Sequence, residues 1–133
     1  KLKRIGASGA TITGITLDNI APYVTKWKAG GGIQYRFEIG DMGSLSPRLD
    51  LAYQSSFYTN IDNNPASLTP AYTVANARLA WQSPDKGWEA VLAVTNLFDK
   101  FYYQNKFRGP AISSGTGQPA PPRGWAVSLR ENF

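Results

Sequence analysis

Neither cysteine nor histidine occurs among the 133 residues of the chain. Lacking cysteine, it has no disulfide framework and no thiolate site. Lacking histidine as well, it offers only carboxylates, carbonyls and hydroxyls as metal ligands, which argues against a transition-metal centre. Serine triads and thiol nucleophiles fall away with the same two absences. Nowhere do about 18 apolar residues follow one another, so no transmembrane helix is predicted. A crossing by strands stays open, because each needs only about ten alternating residues. Charge of one sign is not concentrated either. The formal net charge is +5, but the basic residues are scattered, apart from Lys1-Leu2-Lys3-Arg4. Nucleic-acid binding calls for clustered Lys and Arg interleaved with exposed aromatics. Here the aromatics share a face with Leu, Ile and Val, and no nucleic-acid partner is expected. Gly6, Gly9 and Gly14 are not followed by Gly-Lys-Ser/Thr or by a helical pattern, which excludes a phosphate loop.

What is present is alternation. Four Trp, seven Tyr and six Phe fall mostly on one side of segments that read at period two. In the last stretch Trp125, Val127, Leu129 and Phe133 share a side, and Ala126, Ser128, Arg130 and Asn132 take the other. That is a strand with one greasy and one wet surface. A terminal aromatic gains little in a soluble sheet, whose ends fray, but suits a membrane barrel, where aromatics sit at the bilayer boundary. From Val24 to Ile39 the same rule opposes Trp27, Ile33, Tyr35 and Phe37 to Lys26, Lys28, Gln34, Arg36 and Glu38. Leu45 to Tyr58, Ala71 to Trp81 and Trp88 to about Leu97 repeat it. Residues 1–23 are the least readable, a loop with one possible short strand at Thr11 to Leu17. The chain begins at Lys1 with neither an initiator Met nor a signal sequence, read as processing of a longer precursor or as a piece of something larger.

The connections alternate in length: short at 40–44, long at 59–70, short at 83–87, long at 98–121. If successive strands reverse direction, both short turns lie at one end and both long loops at the other. Outer-membrane barrels have this layout, with short periplasmic turns and long extracellular loops. Residues 24–133 are therefore expected to be all-β, an antiparallel up-and-down segment of a transmembrane barrel. Tyr35, Phe37, Trp81, Trp88 and Phe133 would form one aromatic girdle, with Trp27, Phe57, Tyr58 and Trp125 at the other level. Five or six strands cannot close such a barrel, for which eight is about the lower limit.

Three strings sharpen the reading. Thr-Pro-Ala-Tyr-Thr-Val-Ala-Asn-Ala-Arg-Leu-Ala-Trp (69–81), Val-Thr-Asn-Leu-Phe-Asp-Lys-Phe-Tyr-Tyr (94–103) and Pro-Arg-Gly-Trp-Ala-Val-Ser-Leu-Arg-Glu-Asn-Phe (122–133) resemble the C-terminal barrel region of TonB-dependent outer-membrane receptors. The resemblance covers residues 22–133, and Asn-Leu-Phe-Asp-Lys-x-Tyr-Tyr is its most specific element. It implies about the last five or six strands of a roughly 22-stranded barrel in the outer membrane of a Gram-negative bacterium. The function implied is uptake of a scarce nutrient, whether siderophore-iron, a vitamin or an oligosaccharide. The implied partners are outer-membrane lipid, the remaining strands and plug domain, TonB acting through the plug, and the barrel-assembly machinery. Trp125, Val127, Leu129 and Phe133 would be the assembly signal. Glu131 departs from the apolar or aromatic residue usual at the third position from the end. The plug and the TonB-contacting box have no counterpart in this sequence.

On this reading Arg48, Asp50, Gln54, Asn76, Arg78, Glu89 and Arg130 face the lumen. Phe101, Tyr102, Tyr103, Asn105 and Arg108 are candidates to touch ligand from the last loop. The alternative is a soluble lipocalin-like binder whose apolar faces line a cavity for a hydrophobic ligand. It requires Trp27, Leu51, Leu92 and Leu129 to converge on a dry centre. An enzyme is not expected. Asp50 and Glu89 match a glycosidase pair by residue type alone, but Asp50 beside Arg48 reads as a salt-bridged wall.

Overall fold

The computed structural model describes residues 4–5, 11–12, 18–107 and 116–132. Its strands are β1 (Arg4–Ile5), β2 (Thr11–Ile12), β3 (Lys28–Gln34), β4 (Phe37–Glu38), β5 (Ser44–Gln54) and β6 (Phe57–Tyr58), followed by β7 (Leu68–Thr69), β8 (Tyr72–Gln82), β9 (Trp88–Thr95), β10 (Tyr103–Phe107), β11 (Thr116–Pro119) and β12 (Gly124–Glu131). Among the described residues there is no α-helix, only 3-10 turns at Gly40–Met42 and Pro65–Ser67. The chain divides into two units, a sheet unit and a unit assembled from the long connections.

The sheet unit is one antiparallel layer in the order β12-β9-β8-β5-β3, with β4 also on β5. β3 and β4 hold one register against β5, since Gln34 opposes Arg48, Tyr35 N donates to Pro47 O at 3.1 Å, and Phe37 opposes Leu45. The strand read from Val24 to Ile39 thus enters this sheet only at Lys28, and the one read to Tyr58 leaves it at Gln54. Side chains alternate between the two faces along each strand, and the charged ones, Glu131 apart, gather on one of them.

The two short turns are fixed locally. Gly43 has φ +91, and a Cβ there would overlap the Gln82 carbonyl oxygen, so only glycine fits. Trp81 Nε1 donates to Met42 O at 2.8 Å across the same turn. In the second turn Ser83 Oγ accepts from Trp88 N at 2.9 Å and donates to Asp85, whose carboxylate also accepts from Gly87 N at 3.1 Å. Those bonds, the Ser83 hydroxyl first, hold the Asp85 carboxyl below the usual carboxylate range. Asn132 N then donates to Gly87 O at 2.8 Å, tying the end of β12 to this turn.

The long connections are not the irregular loops their composition suggests. β6 pairs with β7 and β10 with β11, both antiparallel. The Asn-rich run is held by its own amides. Asn64 caps the Pro65–Ser67 turn by accepting from Ala66 N at 2.9 Å. Asn63 accepts from Ile20 N at 2.6 Å and returns a bond to Ile20 O at 2.8 Å, serving that residue as a strand partner would. Phe57, expected in a girdle, is instead buried in this unit, with its ring 6.1 Å from that of Tyr23. The possible strand at 11–17 is seen as Thr11–Ile12 paired with Arg4–Ile5; residues 13–17 lie outside the described residues.

Candidate functional site

The sheet register sorts the side chains into rows. Gly32, Asp50 and Asn76 form one row across β3, β5 and β8, and Thr95 on β9 opposes Gly124 on β12. In the next, Gln34, Arg48, Arg78 and Ala93 lead to Ala126, and in the last, Glu38, Ser44, Gln82 and Glu89 lead to Arg130. All seven residues read as a wet wall, Arg48, Asp50, Gln54, Asn76, Arg78, Glu89 and Arg130, therefore share one face. That face carries five cations (Lys28, Arg36, Arg48, Arg78, Arg130) against three anions (Glu38, Asp50, Glu89).

Its charges are paired in plane. Arg48 grips Asp50 with two bonds, Nε to Oδ2 and Nη2 to Oδ1, each 2.7 Å. This two-pronged geometry is the strong form of the carboxylate–guanidinium contact. Arg36 meets Glu38 at 2.7 Å, and Arg78 meets Glu89 at 3.3 Å across β8 and β9. Asp50 and Glu89 are each committed to an arginine, and no group of three or more Asp or Glu able to hold a metal occurs among the described residues. The Asp50 carboxylate occupies the space beside Gly32 that a Cβ would need.

Between the arginine row and the glutamate row runs a row of short side chains, with Ser46 opposite Ala80 and Ala80 opposite Val91. Long neighbours around short ones leave a dent of about 200 Å³, lined by Gln34, Arg36, Ser44, Ser46, Arg78, Ala80, Gln82 and Glu89.

The opposite face carries Ile33, Tyr35, Phe37, Leu49, Leu51, Tyr53, Leu79, Trp88, Leu92, Trp125, Val127 and Leu129, all exposed, from 37% for Leu49 to 80% for Val127. Tyr35 and Phe37 meet edge to face at 4.6 Å. Leu51, Leu92 and Leu129 do not converge on a dry centre, and Trp27 is 73% exposed. The cavity that a soluble binder requires is not formed by this face. Of the residues expected to form an assembly signal, Trp125, Val127 and Leu129 lie here, with Glu131 opposite Trp88; Phe133 lies outside the described residues.

The Asn-Leu-Phe-Asp-Lys string turns out to be a clasp. Asn96, 5% exposed and at φ +50, accepts from Lys100 N at 2.8 Å and donates to Lys100 O at 3.1 Å and Pro121 O at 3.3 Å. Asp99 accepts from Arg123 N at 2.9 Å. Asn76 Oδ1 accepts from Asn96 N at 2.9 Å, anchoring the clasp to β8. One amide thus closes the neck of the last long connection. The reading from sequence singled the string out without seeing this; the available signal was a pair of short polar side chains, Asn96 and Asp99, flanking Leu97-Phe98 where a strand stops.

The proposed ligand-contacting residues are divided between the two units. Phe101 closes the sheet unit and is 66% exposed. Tyr102, Tyr103 and Asn105 belong to the other unit and are half-buried. Asn105 accepts from Tyr23 OH at 2.7 Å, and Lys106 Nζ stands 5.2 Å from the Tyr103 ring centre while donating to Leu68 O at 2.7 Å. These contacts bind β10 to the rest of its unit. Arg108 lies outside the described residues.

A two-faced antiparallel sheet with in-plane ion pairs and an uncovered apolar side is a piece of barrel wall. Residues 3–97 match the model of the TonB dependent receptor-like, beta-barrel family, and the chain belongs to that family. The crystal structure of the ferric yersiniabactin uptake receptor FyuA from Yersinia pestis superposes with a TM-score of 0.75 at 25% identity over 84% of this chain. The matched region is 17% of the FyuA chain, so this chain spans a minor part of that receptor's length. No curated protein sequence matches. The family is one of receptors, and the solved neighbour is an uptake receptor.

Proposed function

We propose that this chain is the C-terminal wall of a receptor that takes up a scarce nutrient across the outer membrane of a Gram-negative bacterium. The single observation that carries this is the sorting of the sheet into a charged, ion-paired face and an uncovered apolar face. The apolar face lies against lipid, where exposed Leu, Val and aromatic side chains are stable. The charged face lines the lumen, where a plug domain sits and through which TonB acts. The turns at 40–44 and 83–87 are periplasmic, and the connections at 59–70 and 98–121 extracellular. Phe101, Tyr102, Tyr103 and Asn105, with Arg108, belong to the extracellular side that meets the nutrient. Trp125, Val127, Leu129 and Phe133 present the apolar edge that the barrel-assembly machinery reads.

Among iron chelates, vitamins and oligosaccharides, the likeness to a ferric yersiniabactin receptor favours a ferric siderophore. The receptor carrying this wall should restore growth of an iron-starved, receptor-deficient host on a ferric siderophore, and only when TonB is present. Restoration by a vitamin or an oligosaccharide alone would remove the iron assignment. Restoration without TonB would remove the receptor reading.

A further inference from the structure

The dent on the charged face has a size and a chemistry of its own. At about 200 Å³ it falls below the roughly 300–1,000 Å³ of small-molecule sites. It is large enough for a side chain or two and too small for a chelate or a sugar chain. Ser46 and Ala80 line it with short side chains, and Arg36 and Arg78, whose side chains are 52% and 51% exposed, stand beside them. Arg36 gives one hydrogen bond to Glu38, and Arg78 one longer bond to Glu89. A guanidinium has five N–H donors, so both arginines, which line the dent, have donors beyond those given to Glu38 and Glu89. Arg48, opposite Arg78 but outside the lining of the dent, is already engaged two-pronged by Asp50. Gln34 and Gln82 supply neutral donors in the same lining. The anions nearby, Glu38 and Glu89, are each engaged by an arginine, and the face as a whole has more cations than anions.

From this geometry we infer that the dent is a docking socket for an acidic side chain, Asp or Glu, carried by the polypeptide that fills the barrel. The carboxylate enters between Arg36 and Arg78, beside the short side chains of Ser46 and Ala80, and receives the donors those arginines do not give to Glu38 and Glu89. Planar forked recognition of carboxylate is what arginine does better than lysine. The inference rests on the lumen assignment above and names the partner of that same face.

The test uses the intact receptor in outer-membrane vesicles. Arg36→Lys and Arg78→Lys preserve the charge and supply an amine that a carbodiimide couples to any carboxylate in contact. Peptide mapping should find the amine joined to an Asp or Glu of the filling domain. Coupling at Arg48→Lys should join it to Asp50 of the wall itself. In parallel, Ser128→Cys and Val127→Cys, adjacent residues on opposite faces of β12 and outside the lining of the dent, are challenged with a water-soluble maleimide. If the two cysteines differ but coupling at Arg36→Lys and Arg78→Lys goes only to Glu38 or Glu89, or fails, the socket is overturned and the lumen assignment stands. If the two cysteines react equally, the lumen assignment falls and the socket with it.

Discussion

The two faces of one sheet are held by different physics, although every strand contributes to both. On the charged face, neighbours across the ladder satisfy one another: Arg78 reaches Glu89 on the next strand, and Arg48 closes on Asp50 two residues along its own. On the apolar face, Leu79, Leu92 and Val127 lie at successive positions across the sheet, and all three are exposed. A globular sheet of this size would bury such side chains against a second layer. On the function proposed above, lipid takes the place of that layer, and the sheet is a wall without a core. The difference teaches that stability in this unit comes from the backbone ladder and its solvent, with in-plane polar pairs setting which face is wet.

The largest expected effect comes from inverting the comparison. Leu51→Arg or Leu92→Arg puts a charge on the lipid side and should cost about 2–4 kcal/mol if the position is near mid-bilayer. Gln54→Arg, on the charged face, should cost a small fraction of that. Urea unfolding in micelles measures both, and equal costs would dissolve the distinction. Asn96→Ala should come next, at about 1–3 kcal/mol, because the Lys100 and Pro121 partners lose a buried amide. That loss should also open residues 98–121 to protease while leaving the short turns resistant. Gly43→Ala forces a side chain into the left-handed region against Gln82 O and should cost roughly 1–3 kcal/mol, read as a lower urea midpoint.

The smallest effect is a pH dependence at the Asp85 turn. A carboxyl held below its unfolded value contributes stability that is present above about pH 4, the unfolded range, and lost as pH falls through its folded value. Asp85→Asn should lack this dependence. Amide exchange at Gly87 and Trp88 should therefore converge between the two proteins under acid conditions and differ at neutral pH.

Much of the sheet unit was legible because it obeys a period of two without interruption. Parity alone places Arg48, Asp50, Gln54, Asn76, Arg78, Glu89 and Arg130 together, and the structure gives them one face. The ends of strands were less legible. Trp27 and Ser55 still pair, Trp27 N donating to Ser55 Oγ at 3.1 Å, so the alternation continues past the sheet into the second unit and conceals where one stops. The inner structure of the long connections was less legible for a different reason. Asn, Pro and Gly mark departures from regular strands, but they do not reveal that Asn63 and Asn64 replace backbone partners or that β10 and β11 form a hairpin. Burial of Phe57 follows from its contact with Tyr23, 34 positions earlier in the chain, a distance that no local pattern bridges. Asn96 was visible within its string, but its bonds to Lys100 and Pro121 depend on a closed loop.

The most direct measurement of the central claim is a nitroxide placed in turn at residues 72–82 of the receptor in bilayers, with relaxation by oxygen compared with that by a water-soluble nickel chelate. Odd positions, from Thr73 to Trp81, should be relaxed by oxygen dissolved in lipid, and even positions, from Tyr72 to Gln82, by the nickel complex where water reaches them. A profile without that alternation, or with its phase reversed, would contradict the account.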